Sequence, residues 1–100
     1  MVSAICKVVW TKRSQLHMKQ AYDYICNDSP KNACKVLEDI IEATNKAITN
    51  PEVYPPDKYK VNNDGSYRAF EKHRFRISYR VTKNIIRILG VRHTSRSPKH

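Results

Sequence analysis

Residues 75–81 read F-R-I-S-Y-R-V, and this heptad decides the fold. In an extended chain successive side chains point to opposite faces. Phe75, Ile77, Tyr79 and Val81 therefore form one apolar row, and Arg76, Ser78 and Arg80 the other. A strand with one apolar and one cationic face belongs in an antiparallel sheet covered on a single side. Residues 67–71 before it, and residues 85 to about 93 after it, are also strand-like. Turns are expected at residues 72–74 and 82–84, which makes the three runs a meander. In the last run Ile85, Arg87, Leu89, Val91 and His93 alternate with Ile86, Ile88, Gly90 and Arg92. Neither set is cleanly apolar, so the pattern does not choose the buried side.

Upstream, A-I-C-K-V-V-W (residues 4–10) is β-branched and aromatic, too short for a helix, and reads as a first strand. Residues 14–27 have helical spacing, with Leu16, Ala21, Tyr24 and Ile25 as the apolar set and Met18 or Tyr22 on its flanks. D-S-P (residues 28–30) is a helix restart, because Ser29 can accept from an orphan first-turn N–H and proline fits the first helical position. The second helix carries the stripe Ala33, Val36, Leu37, Ile40, Ile41, Thr44, Ala47 and Ile48. Asn50-Pro51 ends it, and Pro55, Pro56, Asn62, Asn63 and Gly65 mark a long loop up to Ser66. The order β-α-α-β-β-β predicts one α+β domain over residues 1–100. In it a helical hairpin packs on one face of a small, mainly antiparallel sheet.

At 100 residues a single domain can bury a modest core without metals or disulfides. Lys and Arg number 19 against nine Asp and Glu, a net +10. That charge is segregated: from Ser66 onward ten cationic residues face only Glu71, so this third alone contributes +9. Such asymmetry points to a polyanionic partner, nucleic acid first, against the alternative of a solvated face that merely keeps the chain soluble. No apolar run approaches the roughly 18 to 20 residues of a membrane helix, and the first residues lack a secretory pattern. The expectation is a cytoplasmic protein that does not engage a membrane. Cys6, Cys26 and Cys34 have no C-x-x-C spacing and are read as reduced packing residues, Cys34 on the apolar side of the second helix. Two glycines cannot make a Gly-rich phosphate loop, and His17, His73, His93 and His100 lack metal-ligand spacing. Neither a cofactor nor a metal is expected.

The order of elements, together with G-S-Y-R (residues 65–68), F-R-I-S-Y-R-V and I-L-G-V-R-H-T-S-R (residues 88–96), resembles the RelE/ParE superfamily of type II toxin–antitoxin toxins. The resemblance implies a small toxin held inactive by a cognate antitoxin, with either of two targets. RelE-like and YoeB-like members cut mRNA on the ribosome. ParE-like members inhibit DNA gyrase and are not nucleases. The leading expectation is the first, a ribosome-dependent, metal-independent endoribonuclease; gyrase inhibition and plain RNA binding are the alternatives.

On the nuclease pattern, Arg76 corresponds to the family arginine on the scissile phosphate, His93 to the general acid of YoeB-like toxins, and Asp57 to their carboxylate base. Arg68 and Arg96 fall near basic positions of RelE-like members, and Arg80, Arg92 and Lys60 complete the expected phosphate-binding set. The chemistry suits these types. An arginine fork bonds two phosphate oxygens while staying charged, and histidine exchanges protons near neutrality. The bland alternatives are a solvated edge charge for Arg76, a strand-end histidine for His93 and a turn former for Asp57. Tyr54, Tyr59 and Tyr67 are able to stack on bases or simply pack. The chain departs from the YoeB-like pattern with Thr94 in place of an aromatic residue, and its H-T-S-R segment is similar to the His-x-x-Arg ending of ParE-like proteins.

Overall fold

The computed structural model describes residues 7–50, 52–83 and 85–94. Its elements are β1 (Lys7–Trp10), α1 (Lys12–Cys26), α2 (Pro30–Thr49), β2 (Tyr67–Lys72), β3 (Phe75–Thr82) and β4 (Ile85–His93). The expected order holds, and residues 4–6 of the expected first strand lie outside the described residues. The sheet runs β1-β4-β3-β2, antiparallel except that β1 lies parallel to β4.

Local chemistry sets the helix boundaries. Thr11 caps α1 by accepting from the Ser14 N–H at 3.1 Å, and the buried Ser14 hydroxyl donates back to the Thr11 carbonyl at 2.8 Å. Ser29 caps α2 by accepting from the Asn32 N–H at 3.1 Å, with Pro30 at its first position, as the sequence predicts. The β2–β3 hairpin turns on His73 and Arg74, both at positive φ (52° and 68°), the backbone that a two-residue loop of matching twist requires. His73 then docks this turn on α2, its Nε2 2.6 Å from Asp39 Oδ2.

Both helices contribute to a core that rests on Phe70, Phe75, Ile77, Tyr79, Ile86, Ile88 and Val91 of the sheet. Met18 and Ala21 come from α1, and Val36, Ile40, Ala43 and Ala47 from α2. The buried face of α1 is rotated from the expected one. Ser14, Met18 and Ala21 are inside, whereas Leu16 and Tyr24 are 53% and 60% exposed. Polarity alone puts Ser14 outside, but its hydroxyl is satisfied by the Thr11 carbonyl, and it becomes a polar member of the buried stripe. Cys34 and Ile41 on α2 are likewise exposed rather than packed, while Ala43, absent from the expected stripe, is buried.

The last strand resolves its own ambiguity with a bulge. Ser78 pairs with Gly90 and Tyr79 with Ile88, which leaves Leu89 without a partner. Ile86 and Ile88 face the helices before that point, and Val91 and His93 after it. On the far side, Arg87 opposes Arg80 and Arg92 opposes Arg76. The apolar face of β3 is buried as expected, and Arg76, Ser78 and Arg80 lie opposite it.

β1 pairs with β4 only as far as Trp10 opposite Ile88. Beyond Thr11, whose N–H still donates to the Ile88 carbonyl, α1 takes over the strand edge, and the Val91 N–H donates to His17 Nδ1 at 3.0 Å. Burial, with the charges of Arg92 and Arg13, lowers the His17 pKa from 6.5, which suits a ring whose Nδ1 must stay unprotonated to accept this bond. The unfolded chain thus binds the proton more tightly than the folded one. The stability tied to His17 is complete above about pH 6.5 and is lost as the pH falls through the lower folded value. Urea unfolding between pH 7 and 5 should show this loss, and His17→Leu should flatten it at the cost of lower stability at pH 7. The lowered carboxyls of Asp39 and Asp64 lose their contributions at more acid pH, as it falls from around 3.8 through their folded values.

Candidate functional site

The cationic face of the sheet carries two pairs of arginines directly opposite one another, Arg76 with Arg92 and Arg80 with Arg87. Like charges so placed repel, so each pair costs stability unless something offsets it. Arg76 is offset by the loop that precedes β2. Pro56 forms a bridge with Arg68, and the Asp57 N–H donates to the Tyr67 carbonyl at 2.8 Å, so the loop joins the outer edge of β2. The Asp57 carboxylate also accepts from the Tyr59 N–H at 2.9 Å, which fixes its direction. Its Oδ1 then meets Arg76 Nη2 at 2.6 Å, with the two side chains only 15% and 16% exposed. Glu71, opposite Arg76 on β2, adds a second carboxylate at 3.5 Å, and the Arg76 guanidinium stands 4.6 Å from the Tyr59 ring centre. The Arg76 environment is thus net negative.

A second cluster surrounds Tyr67. Lys60 Nζ and the Arg80 guanidinium stand 4.3 and 4.6 Å from its ring centre, and Arg80 Nε donates to Ser66 Oγ at 3.2 Å. Ser66 also serves Asp64, whose carboxyl is held below its usual value by bonds from the Ser66 hydroxyl and N–H, with a smaller contribution from Arg80. Asn63 organises the turn: its side-chain amide donates to the carbonyls of Asp57 and Tyr67 and accepts from the N–H groups of Gly65 and Tyr67. Gly65 takes φ +95°, a conformation strained for any side chain.

Four sequence-expected residues thus gather on this face around the loop: Asp57 with Arg76, and Lys60 beside Arg80. Arg92 shares the face. Two others stand elsewhere. Arg68 opposes Tyr79, on the helix side, where its Nη1 donates to the Tyr54 carbonyl at 2.7 Å and its Nε to the Gly65 carbonyl at 3.1 Å. Its grouping with Arg76 and Arg80 is corrected, since strand alternation puts it on the other side, and it serves as a loop pin. His93 opposes Phe75, also on the helix side, and packs edge-on against Phe75 and Tyr24 at 5.1 and 5.8 Å. Arg96 lies outside the described residues. Arg87 was missed because simple alternation sets it apart from Arg92; only the bulge at Leu89 unites them. Among the described residues no group of three His, Cys, Asp or Glu side chains is able to hold a metal, and no helix is long and apolar enough to cross a membrane.

Among the described residues, Asp57–Arg76 is the ion pair that links loop and sheet. Asp57→Ala leaves a part-buried guanidinium with Glu71 alone and should lower unfolding free energy by about 1–3 kcal/mol. The double variant with Arg76→Met should lose less than the two single losses combined, a coupling that urea denaturation of all four proteins measures.

The whole fold has solved counterparts. The chromosomal ParDE toxin–antitoxin system from P. aeruginosa superposes with a TM-score of 0.73 at 21% identity, over 91% of this chain and 98% of that one. The RelBE2 toxin–antitoxin complex from Mycobacterium tuberculosis gives 0.58 at 19% identity, over 93% of each chain. No curated protein matches the sequence. The family described as the ParE toxin of type II toxin–antitoxin systems, parDE, matches residues 8–98. Nearly the whole chain is covered, and with the two-helix, four-strand architecture this establishes membership: the protein belongs to the ParE toxin family of type II toxin–antitoxin systems.

Proposed function

We propose that this toxin acts by binding DNA gyrase, as ParE-like toxins do, and does not cut RNA. The observation that carries this reading is the state of Arg76. Metal-free RNA cleavage needs a cation free to meet the phosphate, with a proton donor and a proton acceptor in reach of the same phosphodiester. Here the best-matched arginine is neutralised by Asp57 and Glu71, and His93, the expected acid, stands on the opposite side of the sheet. Family membership supports the same reading.

A surface that only binds has simpler requirements. Arg87 and Arg92 carry charge with no ion-pair partner among the described residues. Such a face suits an acidic partner segment, and the cognate antitoxin is the partner that the toxin–antitoxin complexes among the solved counterparts support. The nuclease reading, which would add ribosome and mRNA, keeps one observation in its favour: Asp57 and Arg76 are adjacent, as a base and a phosphate-binding cation would be.

Two assays on the purified toxin separate the readings. Gyrase supercoiling should be inhibited in proportion to toxin concentration, while primer extension on a translated message should find it uncut. Discrete ribosome-dependent cuts that Arg76→Ala slows by about 10² or more would establish the nuclease instead.

A further inference from the structure

His17 makes a bond that leaves half of its ring unused. Because Nδ1 accepts the Val91 N–H, the neutral ring carries its proton on Nε2. Nε2 has no hydrogen-bond partner among the described residues, yet no buried side-chain nitrogen or oxygen among them lacks a partner. The Nε2–H therefore reaches solvent as a fixed, unspent donor.

The position of the ring is equally constrained. It lies against Gly90, where an added Cβ would come within 3.3 Å of its Cε1 and Nδ1 and 3.7 Å of Ser78 Oγ. Gly90 and Ser78 pair on the arginine-bearing side of the sheet, so the ring reaches around the β4 edge towards that face. Arg92 follows Val91 in the strand, and Arg13 precedes His17 by one helical turn on the same side of α1. The charges that bear on His17 are those two arginines, with no carboxylate among them. Both are exposed, and neither has an ion-pair partner among the described residues.

We propose that His17 Nε2–H, Arg92 and Arg13 form an anion subsite for a phosphate group at the seam of α1 and β4. A phosphate offers several acceptor oxygens to donors that approach from a helix and a strand, and the arginine fork matches two of them. Its charge offsets the two cationic charges that bear on the ring. A side chain at position 90 would crowd the ring, which would have to give by a few tenths of an ångström to admit a Cβ. The subsite does not depend on whether the toxin engages gyrase.

Long-range proton–nitrogen NMR of the His17 ring, in the full chain at pH 7.5, tests it. Sodium phosphate is titrated against sodium chloride at matched ionic strength. His17 Nε2 should shift saturably with phosphate and not with chloride. Arg92→Gln and Arg13→Gln, exposed positions whose loss of charge should not lower the melting temperature, should each weaken the response about tenfold. A tetranucleotide without terminal phosphates, run in parallel, reports the source: a matching shift assigns the subsite to a phosphodiester backbone, and silence beside a phosphate response assigns it to phosphate monoesters. No saturable shift with either probe, an equal shift with chloride, or undiminished affinity in both arginine variants would overturn the proposal.

Discussion

The unpaired Leu89 governs which residues of this toxin are able to act together, because a sheet has only two sides and one extra residue exchanges them. Without it, β4 would face two conflicting demands. Ile86 and Ile88 must pack under the helices, and so must Val91, but their spacing is two and then three. The bulge absorbs the odd step. Its consequence on the far side is that Arg87 and Arg92, an odd number of positions apart, come to share a face with Arg76 and Arg80. One apolar spacing in the core thus creates the cationic surface.

That surface is costly to a chain that already carries +10. Two arginine pairs directly across a ladder oppose folding, and the molecule treats them unequally. Around Arg76 it builds a bracket of Asp57, Glu71 and the Tyr59 ring, held by a loop pinned through Asn63, Arg68 and Tyr54. Tyr54 ties the same loop to the helices: its hydroxyl donates to the Ala43 carbonyl at 2.8 Å, and its ring stacks on Phe70 at 4.2 Å. Around Arg87 and Arg92 the described residues build nothing comparable. Arg76 is therefore part of the architecture, whereas the charge left for a partner lies towards β4.

The sequence revealed elements better than it revealed sides. The alternation of β3, the S-P restart of α2 and the element order could all be read because each depends on near neighbours in the chain. The phase of α1 could not, because Ser14 is buried only when Thr11 takes its hydroxyl, and polarity alone marks it as exposed. The candidate site was readable to the extent that it lay on β3. Asp57 was singled out by resemblance, and its partner could be found only once the loop had joined β2. Arg68 was misplaced because its basic character suggested the wet face, while its register with Tyr79 turns it inward, where two backbone carbonyls satisfy it. Family resemblance supplied the assignments for Arg76 and His93, and strand register separates the two.

His17 shows why a residue with no motif can still matter to this fold. A parallel strand as short as β1 leaves the rest of the β4 edge with unpaired backbone donors, and such an edge invites other chains to pair with it. The helix that follows covers the edge, and one imidazole supplies the acceptor that a strand would have provided. Histidine suits the position because it is the side chain that accepts with one ring nitrogen while donating with the other. A leucine would cover the edge and orphan the Val91 N–H, and a lysine has no acceptor to offer. The same choice makes the edge sensitive to protonation and places the ring within the influence of the Arg92 charge. Closure of the sheet edge and the chemistry of its surface are thus two ends of one ring.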